Sequence, residues 1–190
     1  MSERSDPYVL PPDLPEPIDD GGADHLDGLA FPSLTFPSAS GEDVDLAAAA
    51  QGTLVLYCYP RTGRPGEPMP PGWDQIPGAR GCTPQSCAFR DHFAELQALG
   101  ASVLGLSAQP LADQVEFARR VGLPYPVLSD PTLELAKALR LPTFEVAGMR
   151  LYRRLTLIAR RGDIVKVFYP VFPPDRNAAD VAAWLSVNPA

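Results

Sequence analysis

Histidine and cysteine are scarce in this 190-residue chain, with two of the former and three of the latter. A structural zinc site takes about four ligands, commonly cysteine pairs about two to four residues apart. Here Cys58 sits inside an apolar run and His25 in the N-terminal segment, so no such set can be assembled. His92 lies ten residues beyond Cys82 on one expected helix, about 15 Å along its axis. That spacing disfavours a nucleophilic Cys–His pair, and His92 reads as a surface helix residue. No apolar run reaches the roughly 18 residues that a membrane span needs, and no N-terminal export signal is visible. The expected compartment is therefore the cytoplasm, where a few cysteines do not build a disulfide framework and a close pair points to redox chemistry.

Basic excess is also lacking. The net charge is -7. Residues 1–28 hold Glu3, Asp6, Asp13, Glu16, Asp19, Asp20, Asp24 and Asp27 against Arg4 alone, which accounts for all of it. The remainder is formally neutral, so nucleic acid is not an expected partner. The acidic segment also carries five prolines and few core-forming residues, and its composition predicts a disordered tail. Residues 29–190 are then one domain, long enough for a single buried core.

What the chain does have is strand and helix periodicity in a definite order. Leu34–Phe36 and Val44–Leu46 alternate around a Ser/Gly-rich turn and predict a hairpin. Thr53–Tyr59 is a near-continuous apolar run, as expected of a central strand covered on both faces, with Cys58 a small buried hydrophobe. Pro60 ends it. A loop of about twenty residues follows, rich in proline and glycine, and its length marks it as a functional wall. Trp73, Ile76 and Met69 are the groups available to pin it. A helix is expected next, with Thr83 as cap, Pro84 at its first position and Gly100 as its stop. Ala101–Leu106 is a second buried strand. Asp113–Val121 and Leu133–Leu139 read as helices flanking a short strand at Tyr125–Leu128. Leu155–Ala159 and Ile164–Phe168 alternate around Arg161-Gly162-Asp163 as a second hairpin, and Ala178–Leu185 closes the chain as a helix.

The chemistry concentrates at Gly81-Cys82-Thr83-Pro84-Gln85-Ser86-Cys87, at the start of that helix. Free N–H groups and the dipole at a helix start favour an anion, so a thiol there is biased toward thiolate. Residues five apart on an intact helix have Cα atoms about 8.7 Å apart, whereas a disulfide needs about 7 Å or less. Any Cys82–Cys87 bridge requires the first turn to unwind, which suits a dynamic pair.

Tyr59-Pro60, then Gly81-Cys82-Thr83, Cys87 and Phe89-Arg90-Asp91, resemble the peroxiredoxin Q / bacterioferritin comigratory protein subgroup of peroxiredoxins. Gly105-Leu106-Ser107, Val127-Leu128-Ser129-Asp130 and Arg154 two residues before Thr156 extend the match, which runs from about Leu34 to Leu185. The resemblance implies an α/β, thioredoxin-like fold with an N-terminal β-hairpin and a central mixed sheet flanked by helices. It implies that Cys82 is the peroxidatic cysteine, Cys87 the resolving cysteine and Arg154 the arginine at the thiolate. Pro60, Thr62, Gly81 and Thr83 are the expected substrate-binding positions. Peroxide is the implied substrate and thioredoxin or a similar dithiol the reductant, with no cofactor or metal, in a monomer or weak homodimer.

The departures are specific. The family places a proline seven residues and a hydroxyl three residues before the peroxidatic cysteine, and here Gln75 and Ala79 stand there. About fifteen extra residues, within the insertion at 61–80, separate Pro60 from Cys82. Thr62 is the expected replacement hydroxyl, with water, a backbone N–H or Thr83 as substitutes. Two other classes remain open on the residues alone: a protein disulfide oxidoreductase and a non-enzymatic redox-sensing domain.

Overall fold

The computed structural model describes residues 8–190. Its centre is a five-stranded mixed sheet. β3 (Thr53–Cys58) pairs parallel with β4 (Ala101–Ser107), which pairs parallel with β5 (Val127–Ser129). On the other side β3 pairs antiparallel with β8 (Leu155–Arg160), itself in a hairpin with β9 (Asp163–Phe168). The short hairpin β1 (Thr35–Pro37) and β2 (Asp43–Asp45) stands at the β5 edge, where the Ala39 N–H donates to the Val127 carbonyl.

Both faces of β3 are covered, because every residue of it is buried and its side chains alternate. Leu54, Leu56 and Cys58 face one core with Leu104, Leu106, Leu155 and Leu157, closed by α1 (Leu46–Ala49), α5 (Glu134–Leu139) and the hairpin. Val55, Tyr57 and Tyr59 face the other, against α2 (Cys82–Asp91), α3 (Phe93–Ala98) and α6 (Asn177–Val187). α4 (Leu111–Val121) lies beside that second core, with Phe117 against Tyr59. Gly105 is required between the layers, since a Cβ there would meet the Tyr57 ring and Val127 within 3 Å.

Three expectations change. The single helix ending at Gly100 is two, α2 and α3, interrupted at His92, whose φ of -92° and ψ of 3° leave the helical range. A further hairpin, β6 (Thr143–Val146) and β7 (Met149–Tyr152), precedes β8. The acidic segment, expected as a solvated tail, is laid on the body over its described residues, with 1–7 lying outside them. Leu26 is fully buried, His25 Nε2 bonds the Leu139 carbonyl at 2.8 Å and Tyr169 donates to Asp20 at 2.8 Å. Composition counted its acids and prolines, but a few apolar groups and backbone bonds such as Gly28 N–H to the Ile164 carbonyl fix it.

Candidate active site

The site lies where β3 and β8 bring their adjoining loops against the start of α2. The helix begins at Cys82 itself, one residue before the expected cap, with Gly81 as N-cap at φ 105°. Only glycine fits there. A Cβ would lie 2.4 Å from Pro174 Cγ and 2.8 Å from Leu10 Cδ2 in addition to the left-handed backbone. The Gly81 carbonyl takes the first helical bond, from the Gln85 N–H. Pro84, in the first turn, costs no hydrogen bond because N–H groups there have no intrahelical acceptor.

Cys82, 3 % exposed, is buried against Arg154, also 3 % exposed. Arg154 Nη2 lies 3.3 Å from Cys82 Sγ and donates to the carbonyls of Gly78, Ala79 and Arg80 at 3.2, 3.1 and 3.1 Å. The Cys82 thiol lies 3.7 Å from the Ala79 carbonyl. Arg154 Nη1 is held by the Gln85 side-chain oxygen. Gln85 Nε2 donates to Asn177 Oδ1 at 3.0 Å, and Thr156 Oγ1 donates to the same oxygen at 2.7 Å. No carboxylate pairs with Arg154 among the described residues. A buried cation without a counter-charge is costly, and the group positioned to supply one is the Cys82 sulfur. The charge of its neighbour Arg153 acts instead on Asp20 and Tyr169.

Gln85 and Asn177 were not among the candidate residues. The signal was present, since Cys82, Gln85, Ser86 and Phe89 fall on one helical stripe and all are buried. A glutamine and a serine on a core-facing stripe need polar partners. Gln85 finds Arg154 and Asn177, and Ser86 finds the Tyr57 hydroxyl at 3.0 Å and, through its carbonyl, the Tyr125 hydroxyl at 2.9 Å.

A cavity of about 760 Å³ opens beside Cys82, between the 61–75 loop and the 80–83 segment. Thr62, Gly81 and Thr83 line it with Cys82, while Pro60 is buried just behind at the end of β3. The Thr62 hydroxyl donates to Gln109 Oε1 at 3.1 Å, and the Thr62 N–H to the same atom at 2.7 Å. Thr83 makes no side-chain hydrogen bond among the described residues. Ala79 is fully buried, and its position contributes a carbonyl where the family has a hydroxyl. The loop is pinned by Trp73, 3 % exposed, which packs with Leu151 and Phe144 of the β6–β7 hairpin, joined by Met69 and Ile76. Arg80 pairs with Asp74 at 3.1 Å.

The other two thiols differ. Cys87 is half-buried in the second turn of α2 and unpaired. Burial raises its pKa, opposed by the charges of Arg90 and Arg120. With α2 intact, helical geometry keeps it about 8.7 Å from Cys82 at Cα, out of disulfide range. Cys58 is fully buried in the apolar core, and burial, aided by the Asp130 charge, pushes its thiol far up. No group of three or more His, Cys, Asp or Glu residues that could hold a metal occurs among the described residues, and no described helix is long and apolar enough to cross a membrane.

Comparison with known proteins matches the Redoxin family model to residues 26–185. Peroxiredoxin bcp1 of Schizosaccharomyces pombe is 32 % identical over 150 residues, 77 % of this chain and 68 % of that protein. The chloroplastic peroxiredoxin Q of Arabidopsis thaliana is 28 % identical over 158 residues, 83 % of this chain and 66 % of that one. The chain spans slightly less than two thirds of the length of the plant relatives it matches. Among solved structures, peroxidoxin BcpB from Mycobacterium tuberculosis superposes with a TM-score of 0.69 at 25 % identity, covering 87 % of this chain and 100 % of that one.

Proposed function

The chain belongs to the Redoxin family and is a peroxiredoxin, and from that premise we propose that it is a thiol peroxidase acting through Cys82 and Cys87. The observation that carries the reading is the Arg154 guanidinium, buried without a carboxylate partner among the described residues and 3.3 Å from Cys82 Sγ. Such a cation stabilises a sulfur anion and the charge that develops as a peroxide O–O bond breaks.

In the proposed cycle the Cys82 thiolate attacks the terminal peroxide oxygen. An S–O bond forms, the O–O bond breaks, and the departing alkoxide or hydroxide takes a proton to leave as alcohol or water. Cys82 is oxidised by two electrons to a sulfenic acid. Arg154 and the first-turn N–H groups hold the reacting oxygens, and Pro60 and Gly81 shape the approach. Thr83 suits the hydroxyl role better than Thr62, because it lines the cavity with no side-chain hydrogen bond among the described residues, while the Thr62 hydroxyl is engaged by Gln109.

Unwinding of the first turn of α2 then brings Cys87 to the sulfenic acid. A disulfide forms with loss of water, which protects Cys82 from further oxidation. A dithiol such as thioredoxin reduces the bridge by exchange, itself becoming a disulfide. Intact-mass analysis after one equivalent of hydrogen peroxide tests the pairing. The expected product of the reduced protein is lighter by two hydrogens. A stable addition of one oxygen, with both thiols otherwise unbridged, contradicts it.

A further inference from the structure

Four residues of α2 separate its two cysteines, and they are of two kinds. Thr83 makes no side-chain hydrogen bond among the described residues, and Pro84 has none to make. Gln85 and Ser86 are fully buried and tied down. Gln85 is held by Arg154 and Asn177. Ser86, directly before Cys87, is held by two tyrosines. The Tyr57 hydroxyl, from β3, donates to Ser86 Oγ at 3.0 Å, and the Tyr125 hydroxyl, from the segment entering β5, donates to the Ser86 carbonyl at 2.9 Å. The two phenol oxygens are themselves 3.0 Å apart. Burial raises the pKa of both phenols, so they stay protonated donors. Their rings are fixed as well, since Tyr57 stacks on Phe89 with centroids 4.5 Å apart and meets Tyr125 edge-on at 6.1 Å.

This cluster is satisfied while α2 is helical, and it resists any motion that takes Ser86 away. A Cys82–Cys87 bridge needs such a motion. On the intact helix the two Cα atoms are too far apart, and closing the gap requires new dihedral angles in the residues between them, of which Ser86 is the one that leads into Cys87. Withdrawing Ser86 leaves two phenol donors in an apolar core with only each other for partners. Ser86 is not among the residues that carry the family resemblance, so the motif does not account for this restraint.

We infer that Tyr57 and Tyr125 are positioning residues for the resolving step, a latch on Ser86 that holds the turn between the cysteines closed and sets how long Cys82 stays a sulfenic acid. The inference rests on the peroxidase reading with Cys87 as the resolving thiol. Two fates then compete for the sulfenic acid. In the closed turn a second hydrogen peroxide transfers one oxygen to the sulfur and leaves as water, giving the sulfinic acid. In the opened turn the Cys87 sulfur displaces the sulfenic oxygen, which leaves as water, giving the disulfide. Opening precedes bond formation, so the latch weights the first fate against the second.

Rapid-quench mass analysis of the reduced full-length protein tests it, with one equivalent of hydrogen peroxide for the rate of bridge formation and a graded excess for the fraction of sulfinic Cys82. Tyr125→Phe takes the phenol donor from the Ser86 carbonyl and is expected to close the bridge about tenfold faster than the wild type, the effect of one buried hydrogen bond. It should need correspondingly more peroxide to reach the same sulfinic fraction. Tyr57→Phe acts in the same direction, and Ser86→Ala, the mildest change, does so by a smaller factor. Cys58→Ser, which loses stability in the opposite core, separates a latch from a general defect and should leave the partition between bridge and sulfinic acid at its wild-type value. A partition unmoved or shifted toward sulfinic acid in Tyr125→Phe and Ser86→Ala, or shifted equally by Cys58→Ser, overturns the inference while Cys82 is still oxidised and bridged. A wild type that forms no sulfenic acid, or one that never bridges, overturns the peroxidase reading through Cys82 and Cys87, and the inference with it.

Discussion

The end of β3 and the start of α2 each bury a cysteine, and the two burials have opposite character. Cys58 is fully enclosed among leucines and Tyr152, and burial, with the charge of Asp130 added, holds its thiol protonated. Cys82 is almost as deeply enclosed, but a guanidinium and the first turn of a helix surround it. Exposure alone would rank the two thiols alike. The sign of the neighbouring charge separates them, and it follows from the topology: β8 runs antiparallel to β3, which puts Arg154, just before β8, beside the strand end that feeds the α2 loop.

The largest effect expected from this comparison comes from exchanging the two sulfurs for oxygen. Cys82→Ser should reduce peroxide consumption to the level of a simple thiol. Cys58→Ser should keep it, while losing about 1–3 kcal/mol of stability by placing a hydroxyl in apolar surroundings. Peroxide assays and urea unfolding of both variants read these outcomes, and loss of activity in Cys58→Ser without unfolding would break the comparison.

Arg154→Gln should come next. It removes the charge at the sulfur while keeping hydrogen-bonding capacity, and a drop of about 10²–10³-fold in the second-order rate of Cys82 oxidation is expected. Stopped-flow tryptophan fluorescence measures it. Gln85→Ala should act through Arg154, because it releases one guanidinium nitrogen and leaves Asn177 with one fewer donor. About tenfold slower oxidation is expected, the equivalent of one hydrogen bond of about 1.4 kcal/mol. An effect of Gln85→Ala that persists unchanged in the Arg154→Gln background would show that Gln85 acts by another route.

The smallest effect concerns Cys87 and pH. Burial raises its pKa above the usual thiol value of 9.0, so below that value only a small thiolate fraction exists, growing up to tenfold per pH unit. Closure of the disulfide should therefore quicken as pH rises through 8 and 9 in rough proportion. The same shift has a sign for stability: the folded chain holds this proton more tightly than the unfolded one, so the contribution is present below the ordinary thiol value and is lost at higher pH. Quench-flow mass analysis of bridge formation across that range checks the rate. A pH-independent closure would mean that unwinding of α2, and not Cys87 ionisation, limits it.

Much of this was legible in the sequence where one local signal sufficed. The apolar run 53–59 marked the central strand, the GCT motif marked the helix start, and the family resemblance pointed to Arg154, two residues before Thr156. What escaped depended on distant partners. Gln85 and Asn177 are 92 residues apart, and nothing local says that Asn177 anchors the glutamine that holds Arg154. The β6–β7 hairpin is only partly buried, so its alternation is faint. The acidic segment reads as solvated by composition, yet Leu10 and Leu26 find partners that only the folded body supplies.

The central claim is that the neighbouring charge, and not burial, selects the thiol that meets peroxide. It is tested most directly in a Cys87→Ser background, which leaves the two buried thiols to compete within one molecule. One equivalent of hydrogen peroxide is added with a sulfenic-acid trap, and the labelled peptides are quantified. The account predicts label on Cys82 and essentially none on Cys58. Equal labelling, or label first on Cys58, would contradict it.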